Sequence, residues 1–295
     1  MTNNGRILVV GDVIDDIIVK PGREIRQNTD TPAIIERHPG GSSANTAAWL
    51  GHIGAHVHFF GRLGVADVER HRIELEKFSV ETHLSGDETN PTGTIVIIVE
   101  GEDRTMLTDR GANVIFDLDT IPNELIADAD FLHFTGHTVI DEPKRAAVTR
   151  IIKRAKQHGL TISFDPATAG FIEDFGVEDF LHLCEGVDIL RPNEDEARIL
   201  SGKDDPLAAS AYLTERFPLV VTTCGKDGVY VAERGKEIQF FTVAPVKVVD
   251  PTGAGDSFNA GLLDGLARGL TPLDAAKHAA VVASEGLTRF GARPS

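Results

Sequence analysis

The second half of the chain alternates short apolar runs with longer amphipathic ones. The apolar runs have the composition of buried strands and lie at Phe131–Phe134, Thr161–Phe164, Val187–Leu190 and Leu219–Thr222. Runs with the helical spacing of apolar positions lie between them, at Glu142–His158, Glu194–Leu200 and Pro206–Phe217. This alternation predicts a parallel sheet that is covered by helices on both faces.

The first half of the chain predicts further strands and a second, smaller sheet. Arg6–Val10 is a short β-rich run, and His56–Leu63 has the pattern of a strand. Two further β-rich runs, Thr92–Val99 and Arg104–Thr108, flank an acidic turn and indicate a hairpin. The small sheet would be built from strands within about residues 15–38 and 92–109.

The stretch Val248–Gly261 predicts the start of a helix beside a carboxylate. Val248 and Val249 have the character of a strand end, and a helical pattern runs to about Arg268. Between them, Gly253–Gly255 has almost no side-chain bulk, so an anion could approach the free N–H groups of the helix start. Asp256 would lie in the first turn, as a proton acceptor beside an anion site or as an ordinary first-turn acid.

Acidic residues and a glycine pair near the N-terminus supply a second group of candidates. Period-2 alternation would place Asp12 and Asp16 on one face, where an acid could point into a pocket. The pair Gly40–Gly41 precedes a helical stretch that a serine of Ser42–Ser43 can cap, and Asn45 falls in its first turn. The alternatives are a solvated turn and a plain helix start.

Composition excludes several classes of protein. The 295 residues are 41% hydrophobic and carry a net charge of −16, which disfavours nucleic-acid and anionic-membrane partners. No apolar run approaches the ~20 residues of a membrane span, and the N-terminus lacks the pattern of a secretion signal. The two cysteines, Cys184 and Cys224, argue against a disulfide framework. We therefore expect a cytoplasmic protein.

Several motifs resemble those of one family. The string Asp-Pro-Thr-Gly-Ala-Gly-Asp-Ser-Phe at 250–258 resembles the C-terminal signature of the PfkB, or ribokinase-like, carbohydrate kinases. Gly40–Asn45 resembles the N-terminal signature, Pro192–Glu196 the Pro-Asn-x-x-Glu motif, and Thr222–Gly228 the nucleotide-binding loop. This loop joins two predicted strands, so it is not a Walker loop. The resemblance implies one ribokinase-like α/β domain over residues 1–295, with a small β lid.

The resemblance also implies roles for single residues at the centre of the site. Asp256 would be the base that activates a sugar hydroxyl. The anion hole for the transferred phosphoryl group would be formed by Gly253, Ala254 and Gly255. Sugar hydroxyls would be bound by Asp16, Gly41 and Asn45. Asp12 is a further candidate from its strand position, and so is Arg110 after the hairpin, with a surface ion pair as its alternative.

The implied cofactors are ATP and Mg²⁺. The nucleotide would be bound by Asn193, Thr223, Gly225, Gly228, Gly253 and Gly255. Glu196 would hold Mg²⁺ through water. Asp250 and Thr252, with carbonyl groups around Thr288 and Gly291, resemble the loop that binds a monovalent cation such as K⁺ in some members.

Two departures from the pattern leave the phosphate acceptor open. Ribokinase has a lysine after its glycine pair, whereas this chain has Ser42, and no acid follows Phe134. Both weaken a ribose assignment, so sugar, nucleoside and sugar-acid kinases remain. A non-catalytic sugar-binding regulator is another alternative, while Gly11–Asp16 fits the dinucleotide fingerprint of an oxidoreductase badly. A homodimer also remains open, because a lid sheet would expose an edge.

Overall fold

The strands and helices lie close to where the apolar patterns predict them. The computed structural model describes residues 5–100, 103–139 and 142–294. Its strands are β1 (Arg6–Val10), β2 (Ile14–Pro21), β3 (Ala33–Gly40), β4 (His56–Gly64), β5 (Glu81–Asp87), β6 (Gly93–Glu100), β7 (Asp103–Asp109), β8 (Phe131–Thr135), β9 (Thr161–Asp165), β10 (Ile189–Leu190), β11 (Leu219–Thr223), β12 (Val229–Glu233) and β13 (Gln239–Phe241). Its helices are α1 (Ser42–His52), α2 (Val68–Glu76), α3 (Asn123–Ala127), α4 (Gly136–Val139), α5 (Glu142–Gln157), α6 (Ala169–Phe175), α7 (Val177–Leu183), α8 (Glu194–Ser201), α9 (Pro206–Leu213), α10 (Ala254–Ala267) and α11 (Pro272–Leu287).

Nine strands form the main sheet, in the order β13-β12-β11-β10-β9-β8-β1-β4-β5. The pairs from β11 to β5 are parallel, and only β12 and β13 run antiparallel to their neighbours. The predicted, mostly parallel sheet is therefore confirmed. Its carboxyl edge is where the chain passes from β1 to Asp12 and from β9 to Pro166.

Helices cover both faces of this sheet because successive strand residues point to opposite sides. In β1, Ile7 and Val9 are buried in one core with residues of α1, α10 and α11. Leu8 and Val10 are buried in the other core with residues of α5 and α7. Strands that are apolar on both faces need such double cover, which explains why β1 reads as a continuous apolar run.

A second sheet of four strands has the order β3-β2-β6-β7. β2 pairs antiparallel with β3 and parallel with β6, and β6 pairs antiparallel with β7. The chain enters it directly from β1, so β2 carries Asp16 from the main sheet into the second one. The predicted hairpin is tighter than expected, because Glu100 already pairs with Asp103; residues 101–102 lie outside the described part.

Two details of the fold differ from the sequence-based interpretation. Val248 and Val249 are not a strand end: they are 53% and 52% exposed in an extended loop, where Val249 N–H donates to the Leu287 carbonyl at 2.8 Å. β5 and β13 were not predicted, because their mixed polar composition lacks a clear period. No helix among the described residues is long and apolar enough to cross a bilayer.

Candidate active site

The start of α10 has the shape that its small residues predict. Gly253 precedes the helix in the left-handed region, with φ 75°, and no side chain caps its N–H groups. A Cβ atom at Gly253 would lie 2.7 Å from the backbone of Ala292, so conformation and space both require glycine. The start of α10 thus has no side-chain cap, although Ala254 N donates to the Pro251 carbonyl at 3.3 Å, and Asp256 lies in the first turn.

The carboxylate of Asp256 is held by two side chains of α1. Ser42 Oγ donates to Oδ1 at 2.6 Å, and Asn45 Nδ2 donates to Oδ2 at 2.9 Å. Desolvation raises the pKa of Asp256 to about 6, against the lowering effect of these two hydrogen bonds. A carboxylate with this pKa is mostly ionised at pH 7 and remains basic enough to accept a proton.

Asp256 belongs to a group of buried or half-buried polar side chains. We call this group the polar cluster; its members are Asp16, Asn45, Asp256 and Arg293. Arg293 Nε donates to Asn45 Oδ1 at 3.0 Å and its Nη2 donates to the Gly40 carbonyl at 2.9 Å. Its Nη1 is buried with no hydrogen-bond partner among the described residues, which is rare for a native guanidinium and indicates a ligand group.

Asp16 enters the polar cluster from β2. Its side chain is 8% exposed, and burial raises its pKa to about 7, while Arg293 opposes the shift and Asp12 and Asp256 add to it. Burial also lowers the pKa of Arg293 to about 10. Carboxylates and a guanidinium that converge at one place can bind several hydroxyl groups of one small ligand.

Asp12 is in a different situation from Asp16. Residues 11–13 belong to no strand, and both Asp12 oxygens accept from the start of α1, Oδ2 from Ser42 N at 2.8 Å and Oδ1 from Ser43 N at 3.1 Å. The alternation predicted for Asp12 and Asp16 is thus wrong. The helix is capped by Asp12 rather than by its own serines, since Gly41 (φ 97°) is the N-cap residue.

Arg110 lies on the same side of the molecule as Asp12. Its Nη2 donates to the carbonyl oxygen of His137. Burial by itself would raise the pKa of the Asp12 carboxyl group. The charges of His137 and Arg110 and the hydrogen bond from the Ser43 amide outweigh burial and hold this pKa below its usual value. Arg110 therefore lies close enough to Asp12 for its charge to act on that carboxylate.

A cleft of about 920 Å³ adjoins the other side of the α10 start, and we call it the apolar cleft. Ala254 and Gly255 form one end of it. Its walls come from β11 and the loop after it, from the segment before α10 and from small residues of α11; they include Asn193, Thr223, Gly225, Lys226, Val243, Val246, Val248, Phe258, Ala280, Ala283 and Leu287. The volume is in the range of sites for ligands the size of a nucleotide.

Gly228, also predicted to bind the nucleotide, does not line the apolar cleft. Its carbonyl accepts from Cys224 N at 2.9 Å, and a Cβ atom there would lie 2.4 Å from the carbonyl oxygen of Phe241. Its requirement for glycine comes from the β11–β12 turn. The structure confirms that this loop joins two antiparallel strands.

Asn193 and Glu196 form a capping box at the start of α8. Asn193 Oδ1 accepts from Glu196 N, and Glu196 Oε2 accepts from Asn193 N, both at 2.9 Å. Glu196 is 1% exposed, and burial raises its pKa. The motif therefore has a structural function, and Oε1 of Glu196 has no hydrogen bond among the described residues.

A buried cation lies beneath the start of α10. Arg191 donates from Nε to Asn259 Oδ1 at 2.8 Å and from Nη2 to the Asp165 carboxylate, which also accepts from Asn259 Nδ2 at 2.6 Å. A Cβ atom at Gly255 would lie 3.1 Å from Arg191 Nη2. The positive charge of Arg191 therefore adds to the partial charge of the helix start.

The loop predicted for a monovalent cation is folded onto the end of the chain. Asp250 Oδ1 accepts from Thr252 N at 3.0 Å and from Thr252 Oγ1 at 2.7 Å, and Oδ2 accepts from Gly291 N at 3.1 Å. The structure thus brings Asp250, Thr252 and Gly291 together. A cation there stays a prediction, which the dependence of turnover on K⁺ would test.

Comparisons with known proteins identify the family. The model of the pfkB family carbohydrate kinases matches residues 4–295. The chain belongs to the pfkB family of carbohydrate kinases. A fructokinase of Klebsiella pneumoniae is 30% identical over 275 residues, covering 90% of this chain and 85% of the relative. Function as a carbohydrate kinase and the ribokinase-like fold are thereby established.

Two solved structures resemble the whole fold. A ribokinase from Thermotoga maritima superposes with a TM-score of 0.82 at 27% identity, over 98% of this chain and 94% of that one. An adenosine kinase from Sinorhizobium meliloti superposes with a TM-score of 0.87 at 24% identity, over 99% and 96%. The pfkB fold is thus shared by relatives whose names give three different acceptors.

Three side chains of the site were not predicted as functional from the sequence. The sequence indicates Ser42 as a possible helix cap and as a departure from the ribokinase lysine, and it gives no role to Arg191 or Arg293. Arg293 follows a turn near the chain end, where no period or motif points to it. A buried arginine on each side of Asp256 is visible only in three dimensions.

Proposed function

We propose that this pfkB kinase transfers the γ-phosphoryl group of ATP to a hydroxyl group, a primary one, of a small sugar or sugar-like acceptor. One observation carries the proposal: Asp256 is held at the helix start that the polar cluster and the apolar cleft share. Acceptor and donor would therefore meet at a carboxylate that can take the proton.

Asp256 would act as the base. It takes the proton of the acceptor hydroxyl while the hydroxyl oxygen bonds to the γ-phosphorus and the bond to the β–γ bridging oxygen breaks, so that ADP leaves. Ser42 and Asn45 fix both carboxylate oxygens before the acceptor arrives. Such positioning contributes to the rate because the geometry is already set when the reaction occurs.

The start of α10 would stabilise the charge that develops on the transferred group. Its first N–H groups are uncapped, and Arg191 lies directly behind Gly255. Fixed donors of this kind are the usual main contribution in phosphoryl transfer, where the protein supplies positioning and electrostatics.

The residues present fit ATP and Mg²⁺. The apolar cleft offers small and apolar walls for a base and sugar, and it ends at the N–H groups that phosphates prefer. Mg²⁺ takes carboxylate, phosphate and water oxygens, and Glu196 Oε1 is the carboxylate oxygen that would hold it through water. Bound with ATP, Mg²⁺ would neutralise part of the phosphate charge.

The four-stranded sheet would be the lid over the acceptor. Its strand β2 supplies Asp16 to the polar cluster, and Gly40 at the end of β3 accepts from Arg293. Closure would exclude water from the transferred group. Hydrogen exchange in β6 and β7 is expected to slow when the acceptor binds, and equal exchange with and without it would contradict a lid.

The decisive experiment measures ADP release over a panel of sugars, sugar acids and nucleosides, with wild type and Asp256→Asn. We expect turnover with at least one acceptor, and a fall in kcat of about 10²–10⁴-fold in the variant with little change in the KM for ATP. Asp264→Asn is the matched control, because Asp264 is a buried acid at the other end of α10, paired with Arg268 and His278.

Each result of the panel decides between functions. Wild-type turnover in Asp256→Asn would refute the role of Asp256 as base. A preference for nucleosides would identify a nucleoside kinase of the same family. No ADP release with any acceptor, in folded protein that binds sugars, would favour a non-catalytic sugar-binding regulator.

A further inference from the structure

Four side chains on β4 and the edge strand β5 form a group that the kinase reaction does not use. They lie toward the amino ends of these strands, away from the proposed kinase residues. We call it the β4–β5 histidine cluster; its members are His56, His58, Glu81 and His83. His56 and His58 share one face of β4 because they are two residues apart. The parallel register places Glu81 beside His58 and His83 beside Phe60, on the same face.

The ligand atoms of this cluster are separated by the distances of a metal site. His56 Nε2 lies 2.8 Å from Glu81 Oε1, and His58 Nδ1 lies 3.7 Å from Glu81 Oε2 and 3.0 Å from His83 Nε2. A tetrahedral ion with bonds of 2.0–2.1 Å has neighbouring ligands about 3.3 Å apart. The ligand atoms of His56, His58 and Glu81 all lie within 4.8 Å of one another, so one ion can bind these three after small shifts, whereas His83, which touches only His58 Nδ1 among them, would have to move further.

The chemistry of the donors selects the metal. Three imidazoles and one carboxylate are ligands for Zn²⁺ and its neighbours in the first transition series, whereas Mg²⁺ prefers oxygen. Burial lowers the pKa of His58 and of His83, so both rings offer lone pairs at pH 7. Within the described ranges, His56, His58 and Glu81 form the one group of such ligands whose atoms all lie within 4.8 Å of one another.

Surrounding residues hold the cluster in shape and leave it accessible. The Phe60 ring stacks on His83 with ring centroids 4.3 Å apart, which fixes the orientation of that imidazole. The side chain of His58 is 9% exposed, but those of His56 and Glu81 are 40% and 57% exposed. An ion can thus reach the cluster from solvent and be held at its inner side by His58.

We propose that the β4–β5 histidine cluster binds one Zn²⁺ ion and thereby fastens the edge strand β5 to β4. The cluster lies at the amino-terminal part of β4, whereas the kinase residues follow the carboxyl ends of the strands. The role of this ion is structural stabilisation, separate from phosphoryl transfer.

Arg6 competes with the ion. Its Nε donates to His56 Nδ1 at 3.3 Å, so Nδ1 accepts and the ring proton is on Nε2, the atom that would face the metal. Binding requires this proton to move to Nδ1 and Arg6 to release the ring. Arg6 can do so because its side chain is 39% exposed and also pairs with Asp128. Removing Arg6 should therefore tighten metal binding.

The test is a calorimetric titration of the chelator-stripped full chain with ZnCl₂ in excess Mg²⁺. Wild type is expected to bind one ion and to gain about 5 °C in Tm when free Zn²⁺ is about 100 times the Kd. Glu81→Gln and His56→Gln change exposed side chains, so folding is retained, and each is expected to weaken binding at least about 10-fold. Arg6→Gln is expected to strengthen it.

His182→Gln is the matched control. His182 Nδ1 lies 3.0 Å from Glu185 Oε1 in an exposed His–Glu pair that offers only two ligands. It should leave Zn²⁺ affinity unchanged, and Co²⁺ in the wild type should give the intense visible bands of a tetrahedral site. Affinity unchanged in both cluster variants, or lowered equally in His182→Gln, would overturn the proposal whether or not the kinase assay succeeds.

Discussion

The polar cluster and the apolar cleft, on the two sides of the α10 start, are lined by different kinds of residue. In the polar cluster, Asn45 joins Asp256 to Arg293 by hydrogen bonds, and Asp16 is close enough for their charges to act on its carboxylate. The apolar cleft has mainly small and apolar walls, with polar side chains contributed by the α8 start, the β11–β12 turn and α11. One side is organised by side-chain chemistry and the other by shape and backbone.

This difference teaches where specificity is encoded. A site that binds hydroxyl groups with buried, charged side chains penalises an acceptor that leaves one of them unpaired. A cleft lined by small residues selects by volume and tolerates many side-chain changes that preserve it. Mutations in the polar cluster should therefore change the KM of the acceptor, and mutations in the apolar cleft should change the KM for ATP.

Among the changes that act on only one of the two sides, the largest effect is expected from Asp16→Asn. Losing the charge of a buried carboxylate that accepts from sugar hydroxyls should raise the KM of the acceptor about 10- to 100-fold, with the KM for ATP unchanged. Initial rates with one substrate varied at a time measure both constants. Glu36→Gln is the control, since it makes the same charge change on the exposed face of β3, opposite Ile18.

The pH dependence gives a second check on Asp16. Its pKa is raised to about 7, so the carboxylate is ionised above that pH and protonated below it. Only the ionised form has all its lone pairs free to accept from hydroxyls, so wild-type acceptor affinity should fall as the pH drops through 7. A profile of the same shape in Asp16→Asn would show that another group titrates.

A smaller effect, on the other substrate, is expected from Ala283→Leu. Ala283 lines the apolar cleft from α11, and the larger side chain would occupy part of its volume. The KM for ATP should rise about 10-fold while the acceptor KM stays constant. Val281→Leu adds a methylene at a 69% exposed position of the same helix and should change neither constant. Equal changes for both substrates would contradict the separation of the two sides.

The sequence predicts the polar cluster better than the apolar cleft. A polar residue within a motif indicates a function by itself, whereas an apolar residue does not. Asp256 follows from a string of small residues before a helix, and Asn45 from a glycine pair. Val248, by contrast, was interpreted as the end of a strand. It lines the apolar cleft, and an apolar residue that serves a ligand looks the same in sequence as one that serves a core.

Other parts of the site depend on contacts between distant segments. Arg293 and Asn45 are 248 positions apart along the chain, and Arg191 and Asn259 are 68 apart. Local pattern contains no information on such pairs. Asp12 shows the same limit: its strand position suggested a pocket, but its carboxylate caps a helix 30 residues later.

The smallest effect, and the sharpest for the shared base, is expected from Ser42→Ala. The Ser42 hydroxyl donates to Asp256 Oδ1 at 2.6 Å, and this bond lowers the pKa of the carboxylate against its desolvation. Without it, the pKa of Asp256 should rise above about 6 by up to about one unit, since a hydrogen bond to a charged group is worth about 1.5 kcal/mol.

The measurement is the pH profile of kcat at saturating acceptor, because the ionisation of Asp16 would add to the acid side of kcat/KM. The base acts when ionised, so the activity falls on the acid side, and in Ser42→Ala this fall should move to higher pH with little loss at pH 8. Ser257→Ala is the control. Ser257 directly follows Asp256 in the chain, but its hydroxyl donates to the Gly253 carbonyl and not to the Asp256 carboxylate. A shift to lower pH in Ser42→Ala, or an equal shift in both variants, would mean that the titrating group is not Asp256.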